Sequence, residues 1–149
     1  ARENTDRGIK SCRIYSDGSY ADSLITSGGV STTRNAGFVK MRGREVFKFA
    51  IEKFNELMSD LLKENGITMA DVDLLIPHQA NARIIQSFIE LSGIEEKKVL
   101  TNIGKYANTS AASIPLAIND VGDDFFSVGN VVLLSMGAGF TWGSVLIKL

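Results

Sequence analysis

The only histidine of the chain lies in Ile76-Pro77-His78-Gln79-Ala80-Asn81, between an apolar strand-like run and an amphipathic helical pattern. α/β proteins place chemistry at such junctions. Thirty residues later comes Asn108-Thr109-Ser110-Ala111-Ala112-Ser113, a polar group in an apolar setting, and the chain closes with Ser135-Met136-Gly137-Ala138-Gly139-Phe140-Thr141-Trp142-Gly143. A histidine, an asparagine amide and a glycine-rich turn are the parts of a site that stabilises an oxyanion. Each also has a plainer reading. A lone histidine can be structural, Asn-Thr-Ser before alanines is a helix N-cap, and Gly-Ala-Gly is a tight connection between strands.

These groups need elements to hold them. Ile9 to Ser16 reads as a strand ending at the Asp17-Gly18 turn, and Ala21 to Gly37, rich in Ser, Thr, Gly and Asn, as a long loop. From Arg42 to Asn65, apolar Val46, Phe47, Ala50, Ile51, Phe54, Leu57, Met58, Leu61 and Leu62 recur at helical spacing, and Asn65-Gly66 stops the helix. Val72 to Ile76 predicts a buried strand, Asn81 to Ser92 a helix ended by Gly93, and Val99 to Asn102 a further short strand. The stretch after Lys105 carries no charge until Asp120, which predicts a helix buried on all sides, with Pro115 in its first turns or at a kink. Val131 to Ser135 and Gly143 to Lys148 form a closing strand pair. The succession predicts an α/β fold: one mixed five-stranded sheet with helices on both faces.

Composition narrows the classes. At 149 residues and a net charge of -1 the chain is long enough for one domain with a real core. No segment is apolar enough to span a bilayer and no signal-peptide pattern opens the chain. Its polar start, with Arg2, Glu3, Asp6, Arg7 and Lys10 and no initiating methionine, is what a processed or truncated chain would show. One cysteine, Cys12, excludes an internal disulfide framework and fits a reducing compartment. There is no zinc-ligand spacing, no Walker loop and no basic stripe with aromatics for nucleic acid. Cys12 has no histidine, glycine turn or helix start beside it to lower its pKa, and reads as structural.

Taken together, the three motifs and their surroundings resemble the C-terminal half of the 3-oxoacyl-acyl-carrier-protein synthase III family, condensing enzymes of thiolase fold. The likeness runs from Tyr15-Ser16-Asp17-Gly18-Ser19-Tyr20 to the closing strand. It implies residues 1–149 as a C-terminal thiolase-like domain, the N-terminal half with the acyl-carrying cysteine being absent. The implied reaction is decarboxylative condensation of an acyl-CoA primer with malonyl-acyl-carrier protein, in the cytoplasm, by a homodimer. Coenzyme A and phosphopantetheine enter as substrate carriers, and no metal or redox cofactor, nucleic acid or membrane is implied. The resemblance gives His78 and Asn108 the enolate oxygen and the Ala138 N–H the acyl oxyanion, with Met136 beside the cysteine. It places Asn81, Met41, Gly43 and Phe47 along the pantetheine tunnel. Among the cations Lys40, Arg42, Arg44, Lys48 and Arg83, it selects Arg83 and Lys48 for the carrier protein.

Relatives commonly have glycine where this chain has Ala107 before the asparagine. The residues themselves supply a reason for a neutral His78: a helix start following it and an apolar strand preceding it both lower an imidazole pKa. Two other readings stay open, a noncatalytic domain binding acyl-thioesters or carrier protein, and a superfamily relative making polyketides or hydroxymethylglutaryl-type products. His-Gln-Ala-Asn and Gly-Phe-Thr-Trp-Gly argue for the fatty-acid branch.

Overall fold

Residues 6–149 are described by the structure, a computed structural model; Arg2 and Glu3 of the polar start lie outside them. In chain order the elements are β1 (Gly8–Ser16), β2 (Leu24–Thr26), β3 (Val39–Met41), α1 (Gly43–Asn65), β4 (Leu74–Pro77), α2 (Ala82–Ser92), α3 (Ile103–Tyr106), α4 (Ser113–Val121), β5 (Asn130–Gly137) and β6 (Thr141–Lys148). The main sheet has the order β1-β6-β5-β4, with β4 and β5 parallel and the other pairs antiparallel.

Alternation along the strands divides the core. Leu75, Val132, Leu134 and Leu146 point to one face, against Ala50, Phe54, Leu57, Met58 and Leu61 of α1 and Ile84 and Phe88 of α2. Ile76 and Val131 point to the other face, against Ala117 of α4 and Phe125. Complete burial of Phe88 contributes on the order of 2–3 kcal/mol. Gly66 and Gly93 end α1 and α2 at φ 63° and 71°, left-handed positions where glycine carries no Cβ penalty.

Three expectations are corrected. The sheet has four strands rather than five, because Val99 makes only a single bridge to Leu75. Leu100 donates its N–H to Leu75 at 2.9 Å, but beyond that point the backbone bonds to a side chain: Leu100 O accepts from Gln79 Nε2 at 3.1 Å and the Asn102 N–H donates to Gln79 Oε1 at 2.9 Å. The segment predicted as a loop instead contains a 3-10 turn at Gly18–Ser23 and β2, which pairs with β3 in a separate two-stranded sheet. α4 is not buried on all sides. Ser113 and Ala117 face the sheet, while Pro115, in the first turn, and the preceding Ala111 and Ala112 are exposed, since among the described residues no element packs over that side.

Candidate active site

His78 follows the last residue of β4, and its N–H donates to Leu134 O at 2.7 Å, extending the pairing with β5. Its position at the sheet's end is therefore fixed by backbone bonding. The ring Nδ1 lies 2.6 Å from Ser113 Oγ, and the same hydroxyl oxygen accepts from the Gln79 N–H at 3.3 Å. Ser113 is the first residue of α4 and is buried. Burial lowers the pKa of the half-buried imidazole below its usual value, the direction expected from sequence. Desolvation is the cause; α2 starts only at Ala82, where the Asn81 side chain already accepts from the Arg83 N–H at 2.8 Å.

A groove of about 460 Å³ opens beside His78. Ser110, Ala111 and Ile114 border it on one side, Ser135, Met136 and Gly137 of β5 with Thr141 and Gly143 of β6 form its floor, and Cys12 and Ile14 of β1 line its far rim. Asn108 stands two residues before Ser110. Its Oδ1 accepts from the Ser110 N–H at 2.9 Å, capping the 3-10 turn Ser110–Ala112 rather than α4 itself. That bond leaves the exposed amide Nδ2 free to donate. The preceding Ala107 has φ 58° and ψ -161°, a backbone region that glycine enters far more readily, and its N–H donates to Ile103 O at 2.7 Å.

The glycine turn is shaped by its neighbours. Gly139 has φ 136°, and a Cβ there would meet Thr141 Oγ1 at 2.8 Å and Thr141 N at 3.0 Å. The Gly139–Phe140 peptide is cis. Phe140, fully buried, stacks against Tyr20 at 5.1 Å and meets Phe49 at 4.5 Å, and its carbonyl accepts from the Asp17 N–H at 2.8 Å. These contacts hold the turn carrying the exposed Ala138 at the end of the groove floor.

The other predicted residues occupy different surfaces. Met41 borders a shallow depression with Asp22, Ile25, Ser27, Lys40 and Arg42, and lies close to Gly43 at the start of α1. Arg83 borders another depression and places its guanidinium 5.7 Å from the Phe47 ring centre, so a predicted carrier-protein residue and a predicted tunnel residue touch. Lys48 is exposed on α1, and Arg42 pairs with Glu45 at 3.6 Å. Sequence reasoning gave no role to Ser113 and Gln79. Their signal was a polar residue at a position the fold buries, which becomes visible only once the fold is known. Cys12, read as structural, is exposed on the groove's rim. Among the described residues no group of three His, Cys, Asp or Glu side chains is placed to hold a metal ion, and no helix is long and apolar enough to cross a membrane.

Residues 62–149 match the family described as 3-oxoacyl-[acyl-carrier-protein] synthase III C terminal. The beta-ketoacyl-[acyl-carrier-protein] synthase III of Wolbachia pipientis subsp. Culex pipiens (strain wPip) is 48% identical over 143 residues, 95% of this chain and 45% of that protein. The same-named protein of Chelativorans sp. (strain BNC1) is 45% identical over 146 residues, 97% of this chain and 45% of the relative. The crystal structure of 3-oxoacyl-[acyl-carrier-protein] synthase III from Aquifex aeolicus VF5 superposes with a TM-score of 0.88 at 37% identity, covering 100% of this chain and 47% of that one. The chain thus spans about half the length of the relatives it matches, and its architecture is the thiolase-like α/β fold of these synthases.

Proposed function

The chain belongs to the 3-oxoacyl-acyl-carrier-protein synthase III family, and on that premise we propose that it is the C-terminal half of a condensing enzyme, supplying the histidine and asparagine of the site. The reaction joins an acyl-CoA primer to malonyl-acyl-carrier protein, and the other half contributes the cysteine that carries the primer. In the decarboxylation step the bond between the malonyl carboxylate and its α-carbon breaks. Carbon dioxide leaves, and the electron pair forms an enolate whose charge collects on the thioester oxygen. The enolate carbon then attacks the acyl thioester, and the cysteine thiolate departs.

What carries the reading is His78 beside the groove, its Nδ1 against the buried Ser113 hydroxyl. A neutral imidazole has one N–H, so Nε2 donates to an enolate oxygen only if Nδ1 accepts. The Ser113 hydroxyl, which takes the Gln79 N–H on a lone pair, still has its proton to give to Nδ1. The depressed pKa keeps the ring neutral, so that it stabilises the oxyanion without protonating it. The Asn108 Nδ2 provides the second donor. The Ala138 N–H faces the acyl oxyanion beside Met136, while Asn81, Met41, Gly43 and Phe47 serve the pantetheine arm. Arg83 and Lys48 serve the acidic carrier protein by charge complementarity. Coenzyme A and phosphopantetheine act as carriers of substrate, and the complete enzyme is a cytoplasmic homodimer.

The test is carbon dioxide release from a malonyl thioester by the full-length natural protein that contains this chain. Asn108→Asp keeps the acceptor for the Ser110 N–H and removes the amide donor, and His78→Ala removes the imidazole. Each should lower release about a hundredfold. Release at the unsubstituted rate in both variants would refute the proposed roles. Thioester binding with no release even from the unsubstituted protein would favour a binding domain instead.

A further inference from the structure

Gln79 and Asp120 have no part in the chemistry above, yet together they connect the two loops that do. Gln79 is 1% exposed, and every polar atom of its amide is bonded. Nε2 donates to Pro77 O at 2.8 Å and Leu100 O at 3.1 Å, and Oε1 accepts from the Asn102 N–H at 2.9 Å. A fully satisfied buried amide defines one geometry, since any shift strands a polar group away from water. Gln79 is adjacent to His78, so one side chain bonds both the end of β4 and residues 100–102.

Asn102 carries the connection onward. It is the N-cap residue of α3, and its Nδ2 donates to Asp120 Oδ2 at 3.0 Å. Asp120 Oδ1 accepts from Lys105 Nζ at 2.9 Å and from the Tyr106 hydroxyl at 2.8 Å. The four-residue α3 is far too short to persist alone. Its start is tied to Gln79 and Asp120, its end to Asp120 through Tyr106, and Ala107 and Asn108 follow at once. The Asp120 side chain is 18% exposed and sits on α4, whose first residue, Ser113, contacts His78.

We propose that Asp120, acting through Asn102, Lys105 and Tyr106, is a positioning residue that sets Asn108 at its working distance from His78, with Gln79 anchoring the His78 side of the same network. The inference rests on the proposed function, since Asn108 must act as a donor for its position to matter. Misplacement of such a group by about 1 Å costs up to a hundredfold in rate.

The experiment uses the full-length natural protein and two half-reactions. Malonyl-thioester decarboxylation needs His78 and Asn108, whereas acylation of the cysteine by acyl-CoA, read as a mass increase, does not. Asp120→Ala should lower decarboxylation about tenfold or more while acylation stays at its original rate. Tyr106→Phe, which removes a single hydroxyl and conserves shape, should show a smaller loss of the same kind, and serves if the alanine variant fails to fold. In an Asn108→Asp background, Asp120→Ala should cause no further loss, because a residue that acts through Asn108 has nothing left to position.

An equal loss in both half-reactions, a loss that persists undiminished in the Asn108→Asp background, or no loss would overturn the proposal. Unaltered decarboxylation in Asn108→Asp and His78→Ala alone would instead bring down the functional reading, and the proposal with it. That pattern is separable because it appears without any change at Asp120.

Discussion

Replacing Ala107 with glycine should stabilise the protein. Ala107 sits at φ 58° and ψ -161°, where a Cβ crowds the backbone and strain is on the order of 1–3 kcal/mol. Glycine relieves that strain but widens the unfolded ensemble, which costs about 0.4–1 kcal/mol. The hydrogen bond from residue 107 N–H to Ile103 O is kept in either case. The net gain is then about 1 kcal/mol, or about 3 °C in Tm for a domain of this size. The assay is urea unfolding of the 149-residue chain followed by fluorescence of Trp142, the one tryptophan of these residues, which packs edge-on against Phe49 at 5.2 Å. The m-value should stay constant, because the folded state buries the same surface. Ala107→Val, with a β-branched side chain at the same φ, should lose stability. A glycine variant no more stable than the natural protein, together with an indifferent valine variant, would refute the claim that the turn before Asn108 is strained.

Three further outcomes follow from the geometry. The folded-state pKa of His78 lies below its unfolded value of 6.5, so the unfolded chain binds the extra proton first and stability falls as pH drops from about 6.5 through the folded pKa. His78→Gln should lose less stability between about pH 7.5 and about pH 5, and an identical loss in the variant would contradict the burial argument. Ser113→Ala removes the partner of His78 Nδ1; on the proposed function, kcat for malonyl-thioester decarboxylation by the full-length natural protein should fall about tenfold at unchanged KM, and unchanged kcat would show that the hydroxyl does not set the ring's donor role. Gly139→Ala places a methyl 3.0 Å from Thr141 N at φ 136° and should destabilise the protein by about 1–3 kcal/mol, visible as a lowered urea midpoint; tolerance there would mean that the turn has room to move.

Local pattern alone determined much of this protein. The apolar spacing of α1 and α2, their glycine stops, the strands flanking the glycine turn and the junction at His78 all depend on neighbours within a few residues, where backbone geometry enforces a period. The motifs around His78, Asn108 and Gly137 carried the family resemblance because residue types in order are a property of the chain itself. The contact of His78 with Ser113, across 35 positions, and the strap from Gln79 to Asn102, across 23, leave no periodic trace. The first exists because α4 packs on the sheet with its first turn beside the end of β4, the second because residues 100–102 pass alongside that same strand end. The same strap explains why residues 99–102 read as a strand and do not form one: backbone groups that could have laddered are taken by a buried amide. The convergence of Asn102, Lys105 and Tyr106 on Asp120 was likewise decided by packing, since hydrogen bonds between distant segments are selected by the fold that brings them together, whereas Ala107 was already marked in the sequence by the glycine that relatives commonly have there.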